Sequence, residues 1–203
     1  MIKSCVIGLS KIGQIHCKNL KKIKNTSLNF VYDKDFTLRN KTAKKFKCKT
    51  SNSFEEILRN KEVKLFIIAS PTTTHEFYLD KLIKYKKMIY CEKPISLNAS
   101  KLDVLVKRIK SNRIKICIGL NRRFSNAYIK IKKLIKNKKV KIIQIISRSS
   151  NANVSQSVRN GGLFMDKGFH FFDLACWFAN SLPNKIITIA NPISTKEYLK
   201  NND

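Results

Sequence analysis

GLSKIG, residues 8–13, follows the apolar run CVI at residues 5–7 and opens a stretch with helical spacing that continues to Lys22. A strand, a glycine turn and a helix in that order form the entry to a dinucleotide-binding βαβ unit, whose usual turn is G-x-G-x-x-G. In such a turn the first glycine permits the tight bend, the second lets the backbone approach a pyrophosphate, and the third lets the helix pack closely on the strand. Gly8 and Gly13 keep the outer roles, while Ser10 stands in the middle one beside Lys11 and Ile12. Serine adds only a hydroxymethyl group, and its hydroxyl can donate to a phosphate. The spacing therefore predicts weakened pyrophosphate binding rather than a closed site.

Outward from that turn, short β-rich runs alternate with helical patterns to about residue 120. LNFVYD, ending at Asp33, reads as a second strand; a helix around 37–46 follows, and SFEE at Ser53 has the form of a capping box opening another. KLFIIAS, ending at Ser70, is nearly continuous in apolar residues, as a parallel strand covered on both faces requires. A helix over about 74–85, the strand MIYCEKP, a helix after Asn98 and a further buried strand, IKICIGL, complete the series. This order predicts an α/β fold, a Rossmann-type doubly wound parallel sheet over residues 1–121. From 122 to 203 the texture changes to a basic helix, a long strand KIIQIISRS, a polar stretch, a turn entering a helix at GGLFMDKGFHFFDLACWF, and one more strand, KIITIA. These pieces predict an incomplete α+β second domain.

The chain carries 42 Lys+Arg against 13 Asp+Glu, a formal charge of +29. Such a balance raises nucleic acid or an anionic membrane as partner. Against nucleic acid, 34 of the basic residues are lysine and 8 arginine, and they are scattered over nearly every segment with no stripe of arginine forks and aromatics. The densest run, IKIKKLIKNKKVKII at 129–143, has apolar residues at helical and then strand spacing, as the solvated face of ordinary elements would. Against a membrane, no apolar run approaches the ~20 residues of a spanning helix, and the apolar part of MIKSCVIGL is too short for a signal peptide. Six dispersed cysteines form no C-x-x-C pair, so no metal site or redox dithiol is indicated and a reducing cytoplasm is the expected compartment.

Asp33 ends the second strand where a carboxylate accepts hydrogen bonds from an adenosine ribose. It repels a 2′-phosphate, so NAD is predicted over NADP. ASPTTTH at 69–75 and CEKP at 91–94 end two further strands, at the strand ends where functional residues of open α/β sheets gather. Lys93 is thereby expected near the nicotinamide end, although among 34 lysines one loop lysine carries little weight alone. Asp166 and His170 share a helix face if MDKGFHFFDL is helical. A carboxylate beside an imidazole orients it and raises its basicity, as a general base acting on a hydroxyl needs. The plainer alternative is a capping aspartate and a half-buried histidine among Phe169, Phe171 and Phe172.

Together these motifs resemble the Gfo/Idh/MocA oxidoreductases, and among them the inositol 2-dehydrogenase-like members. The resemblance runs from Met1 to about Ile189 through VIGLSKIGQIH, IIASPTTTHEFYL, CEKPISL, GLNRRF and GGLFMDKGFHFFDLACW. It implies hydride transfer between a nicotinamide cofactor and a sugar, cyclitol or sugar-nucleotide hydroxyl or carbonyl. It implies cofactor contacts from Gly8, Ser10, Lys11, Ile12, Gly13, Asp33, Ser70, Thr72, His75, Glu92 and Lys93. Lys93 would polarise the reacting oxygen, His170 would take the hydroxyl proton and Asp166 would hold and tune that pair, with Asn121 and Arg123 near the substrate. A cis peptide is implied at Lys93-Pro94. Family members are longer and assemble as homo-oligomers through a full second-domain sheet, so the chain is expected to be C-terminally truncated. Where inositol-type members carry an acidic SRDP stretch, this sequence has SRSSNANVS. Two rival readings are a dinucleotide-binding protein without turnover and, with less support, a basic nucleic-acid-associated protein.

Overall fold

The computed structural model describes residues 1–147 and 168–189. The chain divides into two compact units, Met1–Gly119 and Leu120–Asp203.

In the first unit six strands, β1 (Ile2–Ile7), β2 (Thr26–Tyr32), β3 (Lys49–Thr50), β4 (Val63–Ile68), β5 (Met88–Cys91) and β6 (Ile116–Ile118), form one sheet in the order β3-β2-β1-β4-β5-β6. Every pairing is parallel. Successive strands are joined by α1 (Lys11–Lys22), α2 (Phe36–Phe46), α3 (Phe54–Arg59), α4 (His75–Lys84) and α5 (Ala99–Ser111). The order reverses between β1 and β4, the switch point at which open α/β sheets bind ligands.

Two apolar cores explain the continuous hydrophobic strands. Phe66 and Ile68 of β4 and Cys5 and Ile7 of β1 pack into one core, with Ile57 and Leu58 of α3, Leu79, Leu82 and Ile83 of α4, and Leu105 of α5. Ile67 and Val6, the intervening residues of the same strands, face the other core with Cys17 and Leu20 of α1 and Ala43 of α2. Alternate side chains thus find cover on opposite faces, each full burial of an aliphatic side chain contributing about 1.5–3 kcal/mol. Helix α4 shows the matching period: His75, Tyr78, Leu79, Leu82 and Ile83 are its buried residues, spaced along one face. Cys5, Cys17 and Cys91 behave as small core residues and Cys48 packs against the core that holds Cys17, burial being the first cause that raises the Cys17 thiol to about 12 and that of Cys48 to about 11.

Caps set where the helices begin. The Asp35 carboxylate accepts from the Leu38 amide at 2.9 Å to open α2, and the Asn98 side chain accepts from the Lys101 amide at 3.0 Å to open α5. At α3 the capping box is relayed through a third residue. Ser53 accepts from the Glu56 amide at 3.4 Å, but the Glu56 carboxylate takes the Ser51 hydroxyl, whose oxygen in turn accepts from the Ser53 amide at 3.0 Å.

The structure corrects three strand expectations. IKICIGL is an edge strand rather than a buried one, since among the described residues β6 pairs only with β5, and Cys117 is exposed. In the second unit α6 (Asn126–Leu134) and the helix here numbered α7 (Phe169–Ala179) form, and the Tyr128 and Phe178 rings meet at 6.1 Å. The described parts of KIIQIISRS and KIITIA carry no strand, although both are rich in β-branched isoleucine. A strand is stabilised through ladder bonds to a neighbour, and the described residues of this unit hold none to pair with.

Candidate functional site

The predicted residues of the first unit lie on the connections leaving the carboxyl ends of its strands. Gly8 leaves β1 with φ +82, and a Cβ on it would fall 2.4 Å from the Ser70 backbone nitrogen and Cα. The connections after β1 and β4 therefore meet at a separation that only glycine permits. A Cβ on Gly13, in the first turn of α1, would fall 1.9 Å from the Gly8 carbonyl oxygen. Helix α1 is seated on the turn as the third glycine of the motif requires. Between them Ser10 has φ −65 and ψ −168, values open to any residue, and its side chain makes no capping hydrogen bond. The added hydroxymethyl group thus strains nothing. Ser10, Lys11 and Ile12 are exposed at the start of α1, where unsatisfied amides and the helix dipole favour an anion. This cradle fits the pyrophosphate of a dinucleotide.

Asp33, just past β2, faces the same turn. Its Oδ2 accepts from the Leu9 amide at 2.7 Å and its Oδ1 from the Asp35 amide at 3.0 Å. Beyond β4, the Thr74 hydroxyl lies 2.7 Å from both the Ser70 hydroxyl and the Pro71 carbonyl, and Thr72 is buried. His75 is 1% exposed, with Nδ1 2.8 Å from the Pro94 carbonyl and Nε2 2.9 Å from that of Ser70. It ties the connection after β4 to the one after β5. Burial draws the His75 pKa below the ordinary value, while the two carbonyls and Glu92 oppose that shift without cancelling it. A neutral ring donates only one proton, so the second carbonyl is satisfied only in the imidazolium form.

Glu92, half-buried at the end of β5, has its Oε1 2.8 Å from Nε2 of His16 on α1. The His16 ring meets Tyr90 edge-on at 5.1 Å, and burial, followed by the Glu92 charge, pushes the Tyr90 phenol up to about 12. Lys93 follows, half-buried, with a cis peptide to Pro94. Sequence reasoning passed over His16. The available signal was its spacing of three from Gly13, which sets it on the face of α1 that packs on the turn.

In the second unit Asn121 and Arg123 fall in a short 3-10 turn, Asn121–Phe124. The Arg123 guanidinium grips Asp173 of α7 with both prongs: Nε donates to Oδ2 at 2.8 Å, and a terminal nitrogen donates to Oδ1. That carboxylate raises the pKa of the guanidinium above its ordinary value. Arg122 lies 4.4 Å from the centre of the Phe171 ring. His170 is half-buried in the first turn of α7. Asp166 lies outside the described residues, and with it the reading of Asp166 and His170 as a pair. Asp173 was also missed by sequence reasoning, though it sits three residues beyond His170. Among the described residues no group of three or more His, Cys, Asp or Glu could hold a metal ion, and no helix is long and apolar enough to cross a membrane.

A parallel sheet of this order with a glycine turn at its switch point defines a Rossmann unit of the dinucleotide-binding class. The chain belongs to the Gfo/Idh/MocA family: the model of that oxidoreductase family, described as an NAD-binding Rossmann fold, matches residues 2–120. A myo-inositol 2-dehydrogenase from Thermotoga maritima is 33% identical over 84% of this chain and 52% of its own length. An inositol 2-dehydrogenase from Rhizobium meliloti is 27% identical over 91% of this chain and 57% of its own. Among solved structures, a "probable dehydrogenase" from T. maritima superimposes with a TM-score of 0.83 at 29% identity, covering 88% of this chain and 55% of that one. The fold is also that of a scyllo-inositol dehydrogenase from Lactobacillus casei with bound NAD(H) and scyllo-inositol, at a TM-score of 0.77 and 23% identity over 89% of this chain and 56% of that one. The chain spans about half the length of the curated relatives it matches.

Proposed function

We propose that this chain is the cofactor-binding part of an NAD-dependent oxidoreductase acting on the CH–OH group of a polyol or sugar, with a cyclitol as the leading substrate class. The observation that carries the reading is the glycine cradle, in which Gly8 meets the Ser70 backbone and Gly13 meets Gly8, with Asp33 alongside. The inositol dehydrogenase relatives support the substrate class. NAD, when bound, supplies a nicotinamide ring that accepts or returns hydride. The amides at the start of α1 hold its pyrophosphate, and Asp33 receives the adenosine ribose hydroxyls, a place where a 2′-phosphate would be repelled. In the second half of the mechanism the Lys93 ammonium donates to the reacting oxygen, His170 takes the hydroxyl proton, and Asp166 orients the imidazole. The unbridged cysteines support a reducing, cytoplasmic setting.

The test is NAD reduction with myo-inositol, scyllo-inositol and a panel of sugars. Lys93→Ala and His170→Ala are expected to lower turnover by at least about a hundredfold while changing NADH affinity by less than about threefold. Turnover unchanged in both variants would remove the assigned roles. NADH binding with no turnover in the parent chain identifies a cofactor-binding protein instead.

A further inference from the structure

The amino-terminal ends of β4, β5 and β6, opposite to the glycine turn along the sheet, border an open cavity of about 530 Å³. Among the described residues its lining includes six cations, Lys61, Lys64, Lys86, Lys87, Arg113 and Lys115, and no carboxylate. Six of the ten lining residues are basic against 42 of 203 in the chain, close to a threefold enrichment over the average composition. Glu62, adjacent in sequence, is paired with Lys3 at 2.8 Å.

Local structure accounts for only part of this crowding. Helices α4 and α5 finish here, and the chain leaves them through the left-handed residues Lys86 (φ 49) and Arg113 (φ 52). A helix carboxyl end carries the equivalent of about half a negative charge, so two ends offset about one of the six cations. Lys87 is also accounted for: at 8% exposure its ammonium donates to the carbonyls of Asn60 and Val63 at 2.8 and 2.9 Å. Burial first, and then the neighbouring Lys64 charge, hold its pKa below that of an ordinary lysine. The other cations share the cavity with no negative side chain among the described lining residues to balance them.

We propose that this cavity binds a small molecule bearing several phosphate charges, at a site separate from the glycine turn. The volume lies in the range of small-molecule pockets, roughly 300–1,000 Å³, and the cations come from three connections and the start of β4, where Lys64 stands, converging on one concavity. A nucleic-acid backbone calls instead for an extended basic stripe.

Sodium tripolyphosphate is the probe, titrated into the full chain at near-physiological salt by calorimetry and followed by backbone amide NMR. Binding should move the amides of residues 84–88 and 112–115. Lys64 and Lys115 are exposed, so Lys64→Gln with Lys115→Gln removes two charges without disturbing the core. That double variant should weaken binding at least about tenfold, whereas the matched pair Lys41→Gln with Lys44→Gln, exposed on α2, should change it by less than about twofold. Equal losses in both pairs would reduce the effect to general attraction by a +29 chain and overturn the site. Absence of binding, or shifts confined to residues 8–13, would overturn it as well. Tighter binding of a short single-stranded oligonucleotide at the same amides would replace the small molecule with a nucleic-acid backbone.

Discussion

His75 faces a carbonyl oxygen from each ring nitrogen while almost wholly buried, and the two demands oppose each other. Burial favours the neutral ring, and the pKa falls below the ordinary 6.5. Between that lowered value and 6.5 the unfolded chain binds more protons than the folded one. The stabilisation is therefore complete above pH 6.5 and is lost as pH drops through the window beneath it. Melting temperatures measured from pH 7.5 to 5 should fall more steeply for the parent chain than for His75→Gln. Parallel profiles would mean that His75 does not titrate in this range. The imidazolium formed in acid donates to both the Ser70 and the Pro94 carbonyl, so the destabilisation comes from burying its charge and not from loss of these bonds.

At the scale of elements, the caps are separable from the site. The Asn98 side chain accepts from the Lys101 amide and touches none of the predicted cofactor residues through that bond. Asn98→Ala should cost about 1 kcal/mol, seen as a drop of a few degrees in melting temperature with NADH affinity unchanged. An unaltered melting temperature would show that α5 is held by Leu105 and its neighbours alone. Elements like α5 were legible in the sequence because cap, period and stop are local signals. Strands β1 and β4 were legible for a related reason: their runs CVI and LFII hold no polar residue and need cover on both faces, which a parallel sheet flanked by helices supplies. What failed was whatever depended on partners. Among the described residues IKICIGL has one neighbour, and KIIQIISRS and KIITIA have strand chemistry without a strand to pair with, none of which their own sequences reveal. His16 escaped notice because its partner, Glu92, is 76 residues away, and Asp173 because Arg123 is 50 residues away. The glycine cradle was readable since its spacing is local, whereas the reason Ser10 is tolerated lies in its φ and ψ.

For the whole molecule, the first unit carries a complete six-stranded sheet with both cores, and the cradle is built entirely within it. The cofactor contacts proposed above, from Gly8 to Lys93, all fall within residues 1–119. All of this depends on the turn from Gly8 to Gly13 holding a pyrophosphate. NADH titration of the parent chain and Ser10→Asp, by fluorescence, tests it most directly. Aspartate is as good as serine at a helix N-cap, so melting temperature should hold, while its carboxylate would stand against the phosphates. Saturable NADH binding is expected of the parent chain, weakened at least about tenfold in the variant. Equal affinity in both proteins, or none in the parent, would contradict it.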